Sequence, residues 1–355
     1  MCDKRSRLWK SEIRNGDNGL SHGWLFRYLG LLLLALLACV PAEAQCYVYV
    51  PTHKSNSVAV IDTSLDRVVA VIPVQIQPLS VAVTPNGAFA YVTNSGWIFS
   101  SNSVSVIDTT SNTVVNTIPV GSFPVGVAFT PNGAFAYVAN AVSNDVSVIN
   151  TATNAVVATV SVGTSPWNVA ITPNGAFAYV TNEGSNSVSV INTATNTVVN
   201  TVAVGNMPLG LAITPNGAYV YVVNQNSGSV SVISTATNTL ALTVTVGGNP
   251  YAIAITPNGA LAYVTNAVTT SSVSSTVAVI SIPTNTLVTM INVGTQPHGV
   301  AVTPDGAFAY VSNFYDNSAS VIDTASNTVV DTVEGVVLYP EAVAITLQPN
   351  AQKCR

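Results

Sequence analysis

A nine-residue segment that recurs along the chain constrains its fold more than any other feature. The segment Thr84–Val92 has two unchanged copies and three variants, at 130–138 and 172–180 and from Thr214, Thr256 and Thr303. Tyrosines at the equivalent position follow one another at intervals of 42 to 47 residues: Tyr49, Tyr91, Tyr137, Tyr179, Tyr221, Tyr263 and Tyr310. A period in the low forties, built from short strands, is typical of the blades of a β-propeller.

The unit at 166–204 indicates how each repeat divides into four strands. Asn168–Thr172 is a short apolar strand, and a Pro-Asn-Gly turn leads from it into Ala176–Thr181. Ser187–Ile191 alternates polar and apolar residues with a period of two, and Thr197–Val204 is rich in β-branched residues. No segment after residue 45 has a helical period. The sequence therefore predicts an all-β domain.

The two ends of the repeat region give the number of blades. Cys46–Val50 matches the second strand of a unit, and Ala342–Thr346 matches a first strand. Six complete units and one split unit predict a seven-bladed β-propeller with four antiparallel strands per blade. Blade 1 is split between 46–76 and 341–347, so the C-terminal strand is expected to pair with the N-terminal strands and close the ring.

The repeated tyrosines belong to a four-residue motif. Tyr-Val-Thr-Asn stands at 91–94, 179–182 and 263–266, and close variants stand at 137–140, 221–224 and 310–313. Blade 1 departs from it, with Tyr49–Thr52 reading Tyr-Val-Pro-Thr. Over 46–347 the chain resembles the YVTN-repeat β-propeller family, which is similar to archaeal surface-layer propellers and to exported bacterial proteins. The resemblance implies the fold and says little about activity.

The first 44 residues have the pattern of a secretory signal peptide. A basic stretch precedes the apolar run Leu29–Val40, and Pro41–Ala44 ends in a small-residue cleavage pattern. We expect cleavage after Ala44, a single domain at 45–355, and a location in the periplasm, on the cell surface or in the medium. The alternative is a lipoprotein anchored at Cys39. The apolar run is too short to span a bilayer.

Cleavage would leave two cysteines, one near each end of the mature chain: Cys46 and Cys354. By register they flank the place where the split blade lacks a covalent turn. Oxidising conditions after export allow a disulfide. We therefore predict a Cys46–Cys354 bond that replaces the missing turn.

Charge argues against a nucleic-acid partner. Only 7% of the residues are charged, and from Gln45 onward there are four basic and eleven acidic residues, a net charge of −7. Counterion release by lysine and arginine dominates nucleic-acid binding, so this composition disfavours it.

Function is expected where the blades differ. The loops before the first strand and those between the second and third strands share one face of a propeller. On this face the residue after the loop proline varies around the ring: Leu79, Val125, Trp167, Leu209, Tyr251, His298 and Glu341. An insertion in blade 2 adds Trp97 and Phe99 to the same face. These side chains could form a contact surface, but Trp167 and Tyr251 could instead plug the channel, and the inserted loop could fold onto its own blade.

The chain contains no recognisable catalytic motif, cofactor-binding motif or metal-ligand cluster. The leading prediction is therefore a secreted or cell-surface binding scaffold without catalytic activity, whose partner is a protein, a glycan or a small molecule. One alternative, by analogy with propeller lactonases and lyases, is an enzyme that uses His298 and Glu341 as an acid–base pair. Another is an accessory protein of quinone-cofactor metabolism.

Overall fold

Seven four-stranded antiparallel sheets follow one another around a central channel. A computed structural model of the chain describes residues 46–96, 101–267 and 275–347. These residues contain no α-helix and only two short 3-10 turns, Glu183–Ser185 and Gln225–Ser227. The prediction of a seven-bladed all-β propeller is confirmed. In the described part of the chain, no helix has the length and apolar character needed to cross a membrane.

The strand bounds follow the repeat. Blade 1 contains β1 (Cys46–Thr52), β2 (Ser57–Asp62), β3 (Arg67–Pro73) and β28 (Ala344–Leu347). Blade 2 contains β4 (Pro78–Val83), β5 (Phe89–Asn94), β6 (Ser103–Asp108) and β7 (Thr113–Pro119). Blade 3 contains β8 (Pro124–Phe129), β9 (Phe135–Asn140), β10 (Asp145–Asn150) and β11 (Ala155–Ser161). Blade 4 contains β12 (Pro166–Ile171), β13 (Phe177–Asn182), β14 (Ser187–Asn192) and β15 (Thr197–Ala203).

The remaining three blades have the same order. Blade 5 contains β16 (Pro208–Ile213), β17 (Tyr219–Asn224), β18 (Ser229–Ser234) and β19 (Thr239–Thr245). Blade 6 contains β20 (Pro250–Ile255), β21 (Leu261–Asn266), β22 (Thr276–Ser281) and β23 (Thr286–Asn292). Blade 7 contains β24 (Pro297–Val302), β25 (Phe308–Asn313), β26 (Ser318–Asp323) and β27 (Thr328–Val333).

The ring closes as expected, through antiparallel pairing of β28 with β1. Val48 lies opposite Ile345, and Tyr49 lies opposite Ala344. The closing strand begins two residues later than expected, at Ala344, because the preceding chain makes separate contacts with the end of β1. These contacts are a bridge between Thr52 and Pro340 and a hydrogen bond from the Glu341 amide to the Pro51 carbonyl.

Each repeated tyrosine binds the next blade. The hydroxyl of each buried ring donates a hydrogen bond of 2.5 to 2.9 Å to a side chain in the turn between the third and fourth strands of that blade. The acceptors share a left-handed backbone conformation: Asn112, Asn154, Asn196, Asn238, Asn285, Asn327 and Asp66. Asparagine and aspartate tolerate this conformation better than other non-glycine residues. The tyrosines therefore hold neighbouring blades together, as expected for residues present in every repeat.

The motif asparagine instead acts within its own blade. In blade 5 the Asn224 Nδ2 donates to the hydroxyls of Ser229 and Ser231, at 3.2 and 3.0 Å. Blade 6 has Thr276 and Ala278 at the two serine positions. There, neither side-chain nitrogen nor oxygen of the buried Asn266 has a hydrogen-bond partner. A buried polar group without a partner lowers stability.

Replacing Ala278 with serine should therefore stabilise the protein. The new hydroxyl would restore a hydrogen-bond partner for Asn266, and we expect Ala278→Ser to raise the free energy of unfolding by about 1 kcal/mol. Denaturant unfolding of the two proteins measures the change. Ala59→Ser is the matched control, because the equivalent position in blade 1 faces Thr52, whose hydroxyl is already bonded to Ser57. A stabilisation in both variants, or in neither, would contradict this explanation.

The inter-blade tyrosines should make stability fall at high pH. Burial raises the pKa of five of these hydroxyls to about 12: Tyr91, Tyr137, Tyr179, Tyr221 and Tyr263. Unfolded tyrosines ionise near pH 10. Between these values the unfolded chain has lost protons that the native state retains, so the free energy of unfolding decreases as pH rises. The stabilisation that these protonated hydroxyls provide is complete below about pH 10 and is lost as the pH rises to about 12.

Unfolding experiments across this range, followed by circular dichroism and by tyrosinate absorbance, test the prediction. Tyr179→Phe removes one ionising hydroxyl, so its stability should depend less steeply on pH. Ionisation of these five tyrosines while the circular dichroism remains native would show that the prediction is wrong.

Candidate functional site

The seven variable residues that follow the loop prolines, here called the mouth residues, lie at or just before the start of the first strand of each blade: Leu79, Val125, Trp167, Leu209, Tyr251, His298 and Glu341. In the six blades that are continuous in sequence, this strand has a register shift directly after its proline. A bulge of this kind takes residues out of the ladder and redirects their side chains. The repeat thus provides seven equivalent positions at one end of the channel.

The channel is narrow at this level. Its cavity is about 70 Å³ and is lined by five of the mouth residues: Leu79, Val125, Trp167, Tyr251 and Glu341. Glycines allow the first strands to approach closely, since a Cβ on Gly126 would lie 2.7 Å from the Asn168 Cα, and one on Gly299 would lie 2.7 Å from the Ala342 Cα. The mouth residues therefore fill the channel entrance as well as facing solvent.

One side of the mouth is apolar. Phe123, Val125 and Ala141 form a buried cluster, and Leu79 and Trp167 pack against it while remaining partly exposed. These residues come from blades 2, 3 and 4. This apolar side is a surface on which a hydrocarbon group could be buried.

Another part of the mouth contains the pair that was considered from the sequence as an acid–base pair. His298 Nδ1 lies 2.8 Å from Glu341 Oε2, and the two side chains are 12% and 10% exposed. A carboxylate at this distance favours the tautomer that carries a proton on Nδ1, which leaves Nε2 as the basic nitrogen. The pair joins blade 7 to blade 1, where the ring closes.

Four aromatic rings, here called the stacked row, extend from the mouth across this face. Tyr251 stacks on His298 at 4.3 Å between centroids, and His298 stacks on Phe314 at 4.5 Å. Phe314 stacks in turn on Tyr339 at 4.6 Å, and the Lys54 ammonium lies 5.0 Å from the Tyr339 ring. His298 is thus held between two rings, which fixes the plane of the imidazole.

Two further groups, the phenol of Tyr251 and the carboxyl group of Glu183, contribute to the electrostatics of the mouth. Burial, and then the negative charges of Glu341 and Glu183, raise the pKa of Tyr251 well above 10. Glu183 is half-buried in the loop after β13, and burial raises its pKa too. The Tyr251 hydroxyl therefore stays protonated at neutral pH and can donate a hydrogen bond to a ligand.

Hydroxyl groups of the four-residue motif also hold the backbone of His298 and Glu341. Each hydroxyl belongs to the blade that precedes the residue it binds. The Thr265 hydroxyl of blade 6 donates to the His298 carbonyl oxygen at 2.7 Å. The Ser312 hydroxyl of blade 7 donates to the Glu341 carbonyl oxygen at 2.8 Å. Both hydroxyls stand at the third position of the four-residue motif, so repeated residues hold the backbone of the variable ones.

Only some of the residues that the structure brings together here were named from the sequence. Five of the seven mouth residues line the channel cavity, Leu209 is almost fully covered at 1% exposure, and His298 contacts Tyr251 and Glu341 beside the cavity. Trp97 and Phe99 lie outside the described residues. Sequence analysis missed Glu183, Phe314, Tyr339 and Lys54. Phe314 directly follows the motif in blade 7, and Tyr339 precedes the loop proline, so comparing the blades at these two neighbouring positions would have identified both aromatic residues.

Larger cavities lie on the opposite face and have a repeated composition. One of about 640 Å³ lies between blades 2 and 3, and another of about 430 Å³ lies between blades 5 and 6. Both are lined by the Thr-Pro-Asn turn that recurs in most blades. A feature that repeats around the ring does not by itself distinguish one active site. Across 46–96, 101–267 and 275–347, no three His, Cys, Asp or Glu side chains group closely enough to hold a metal ion.

Comparison with known proteins gives matches to propellers. The family model for "Lactonase, 7-bladed beta-propeller" matches residues 152–250. A chain of hydrazine synthase from Kuenenia stuttgartiensis is 22% identical, with a TM-score of 0.70 over 78% of this chain and 90% of that one. A candidate 6-phosphogluconolactonase from Bacteroides uniformis is 17% identical, with a TM-score of 0.72 over 86% of this chain and 100% of that one. No curated protein matches the chain.

A second candidate 6-phosphogluconolactonase, from Bacteroides fragilis, is 18% identical, with a TM-score of 0.72 over 86% of this chain and 98% of that one. Together with the lactonase match, these neighbours correct the leading sequence prediction. The prediction of a scaffold without catalytic activity is wrong, and the enzyme-like propeller raised as an alternative is favoured instead. The sequence analysis had ranked this alternative second because the chain contains no recognisable catalytic motif.

Proposed function

We propose that the protein is a lactone hydrolase that acts on a small molecule at the mouth of the channel. The observation that carries this proposal is the 2.8 Å contact between His298 Nδ1 and Glu341 Oε2, in which Glu341 lines the same cavity as the apolar residues Leu79, Val125 and Trp167. General-base catalysis by histidine needs an oriented imidazole with one basic nitrogen. The carboxylate and the two flanking rings supply that orientation.

The reaction requires one water and no other reactant. His298 Nε2 removes a proton from the water as its oxygen bonds to the lactone carbonyl carbon. The tetrahedral intermediate then collapses, the ring C–O bond breaks, and the imidazolium returns the proton to the leaving alkoxide. The product is the open hydroxy acid, and Glu341 stabilises the imidazolium during the cycle.

Tyr251 has the properties of an oxyanion donor in this scheme. Its raised pKa keeps the phenol protonated, and its ring lies against the His298 imidazole. A neutral donor beside the developing negative charge stabilises the transition state more than the ground state.

The lactonase family match supports the reaction class without assigning the residues. It covers Trp167 and Leu209 among the mouth residues and ends before Tyr251. The roles of Tyr251, His298 and Glu341 therefore depend on the geometry of this chain and need a direct test.

Substitution of the pair should abolish turnover while leaving the fold intact. We expect His298→Gln and Glu341→Gln each to reduce kcat/KM for lactone hydrolysis by about 100-fold or more, because the first removes the base and the second removes the carboxylate that orients it. Acid release from a panel of lactones measures the rate, and thermal unfolding checks the fold. Glu334→Gln is the matched control, because Glu334 is exposed and lies outside the mouth. Unreactive lactones with the native protein, or full activity in both variants, would refute the proposal.

We also propose that the chain is an exported YVTN-repeat protein whose ring is closed by a Cys46–Cys354 disulfide. The signal-peptide pattern and the two cysteines support this proposal. Cys46 is buried at the start of β1 and lies opposite Leu347 in β28, whereas Cys354 lies outside the described residues.

The intact mass of the protein purified from the exported fraction tests both parts. We expect the mass of a chain that begins at Gln45 and lacks two thiol hydrogens. Reduction should lower the free energy of unfolding by about 2 to 5 kcal/mol, and Cys354→Ser should have the same effect. Two reactive thiols in the unreduced protein would exclude the disulfide, and a lipid-modified Cys39 would exclude cleavage after Ala44.

A further inference from the structure

We infer that the channel mouth selects neutral lactones that carry an apolar substituent over phosphorylated or polyhydroxylated sugar lactones. The inference rests on the proposed function for the reaction, whereas the selectivity follows from the mouth's own side chains. It differs from the substrate that the names of the Bacteroides neighbours suggest.

Charge at the mouth disfavours an anionic substrate. Glu341 lies at the mouth, and Glu183 is close enough for its charge to affect Tyr251. In the described part of the chain the lysines and arginines are Lys54 and Arg67. Lys54 lies over Tyr339, at the outer end of the stacked row, and Arg67 begins the outer strand of blade 1. A phosphate at the mouth would therefore approach carboxylates without a nearby lysine or arginine, which is electrostatically unfavourable.

The position of His298 does not change this conclusion. Its Nδ1 is held by Glu341, so a positive charge on the imidazole would be balanced by the carboxylate. Phosphate recognition normally uses arginine or lysine in a bidentate or clustered arrangement. The mouth residues include neither.

The apolar side favours a hydrocarbon substituent. Leu79 and Trp167 are partly exposed over the buried Val125 and Phe123, and they line the same cavity as Glu341 of the catalytic pair. A lactone whose carbonyl lies at His298 would direct a substituent on its ring toward this side. Each methylene group buried there should raise kcat/KM by about fourfold.

The same surface disfavours a ring with many hydroxyl groups. A hydroxyl that loses its water needs a protein partner, and burial without one is costly. The side chains of Leu79, Val125 and Trp167 offer no hydrogen-bond acceptor. The polar side chains that line the same cavity beside them are Ser80 and Asn168, and the Asn168 Oδ1 already accepts a hydrogen bond from the Val169 amide. A polyhydroxylated ring would keep its hydroxyls in water and would leave the apolar side uncovered.

Steady-state kinetics with three compounds test this selectivity. The compounds are an alkyl-substituted γ-lactone, a polyhydroxylated γ-lactone and the phosphorylated form of the second. We expect the alkyl lactone to have the highest kcat/KM, with about a fourfold increase for each added methylene until the apolar side is covered. A higher kcat/KM for the phosphorylated or the polyhydroxylated compound would overturn the inference and leave the proposed hydrolysis intact.

Substitutions of Leu79 test whether this side chain sets the order of substrate preference. Leu79→Ala should weaken the dependence on alkyl chain length, mainly through KM. Leu79→Lys should lower activity toward the alkyl lactone and raise it toward the phosphorylated one. Leu65→Lys is the matched control, because Leu65 is exposed in a turn on the opposite face. It adds the same charge and should leave the order of substrates unchanged. An equal shift in Leu65→Lys and Leu79→Lys would overturn the inference.

Binding of compounds that cannot be hydrolysed separates recognition from catalysis. Lactams with the same three substituents replace the reactive ester, and isothermal titration calorimetry measures their dissociation constants. Preferential binding of the alkyl lactam, weakened by Leu79→Lys, would support the inference even if no lactone were hydrolysed, in which case only the proposed function would fail. Binding of the phosphorylated lactam in preference to the alkyl one would overturn the inference.

Discussion

The hydrogen bond from the tyrosine of one blade to a turn of the next is the interaction on which the rest of the structure depends. Six of the seven sheets are assemblies of consecutive hairpins, but these bonds and the packing around them fix how neighbouring sheets are placed. Six acceptors are asparagine amides, whereas the bond that joins blade 7 to blade 1 ends on the carboxylate of Asp66. That bond joins residues 244 positions apart, so ring closure depends on the most distant partners in the set.

The four-residue motif makes three kinds of hydrogen-bond contact from one short strand. Its tyrosine reaches the next blade at the far face, and its asparagine satisfies serines within its own blade. Where the third residue carries a hydroxyl, as at Thr265 and Ser312, it bonds the carbonyl of a mouth residue in the next blade. The repeated residues thus fix the backbone of the mouth residues, which differ from blade to blade. A symmetric framework can therefore hold an asymmetric site.

Much of the fold could be predicted from the sequence because its information is local and repeated. Strand alternation, turn residues and the incomplete units at the ends are all visible along the chain. The contact between His298 and Glu341 could be suggested from their equivalent positions in neighbouring blades. The stacked row could not, since Phe314 in the loop after β25 and Tyr339 in the connection between β27 and β28 meet only in the folded protein. The scaffold prediction rested on the absence of a catalytic motif, and a site built from one side chain per blade would have no such motif in the sequence.

The pair of His298 and Glu341 lies where the ring closes, so its contact can form only when blade 1 is assembled from both ends of the domain. Glu341 is held through its amide by Pro51 near the beginning of the domain and through its carbonyl by Ser312 near the end. A ribosome-bound chain that has not yet released its last strand would have six blades and no assembled pair. The contact between His298 and Glu341 would therefore form only after the two ends of the domain had met, and any role of the pair would depend on that late step.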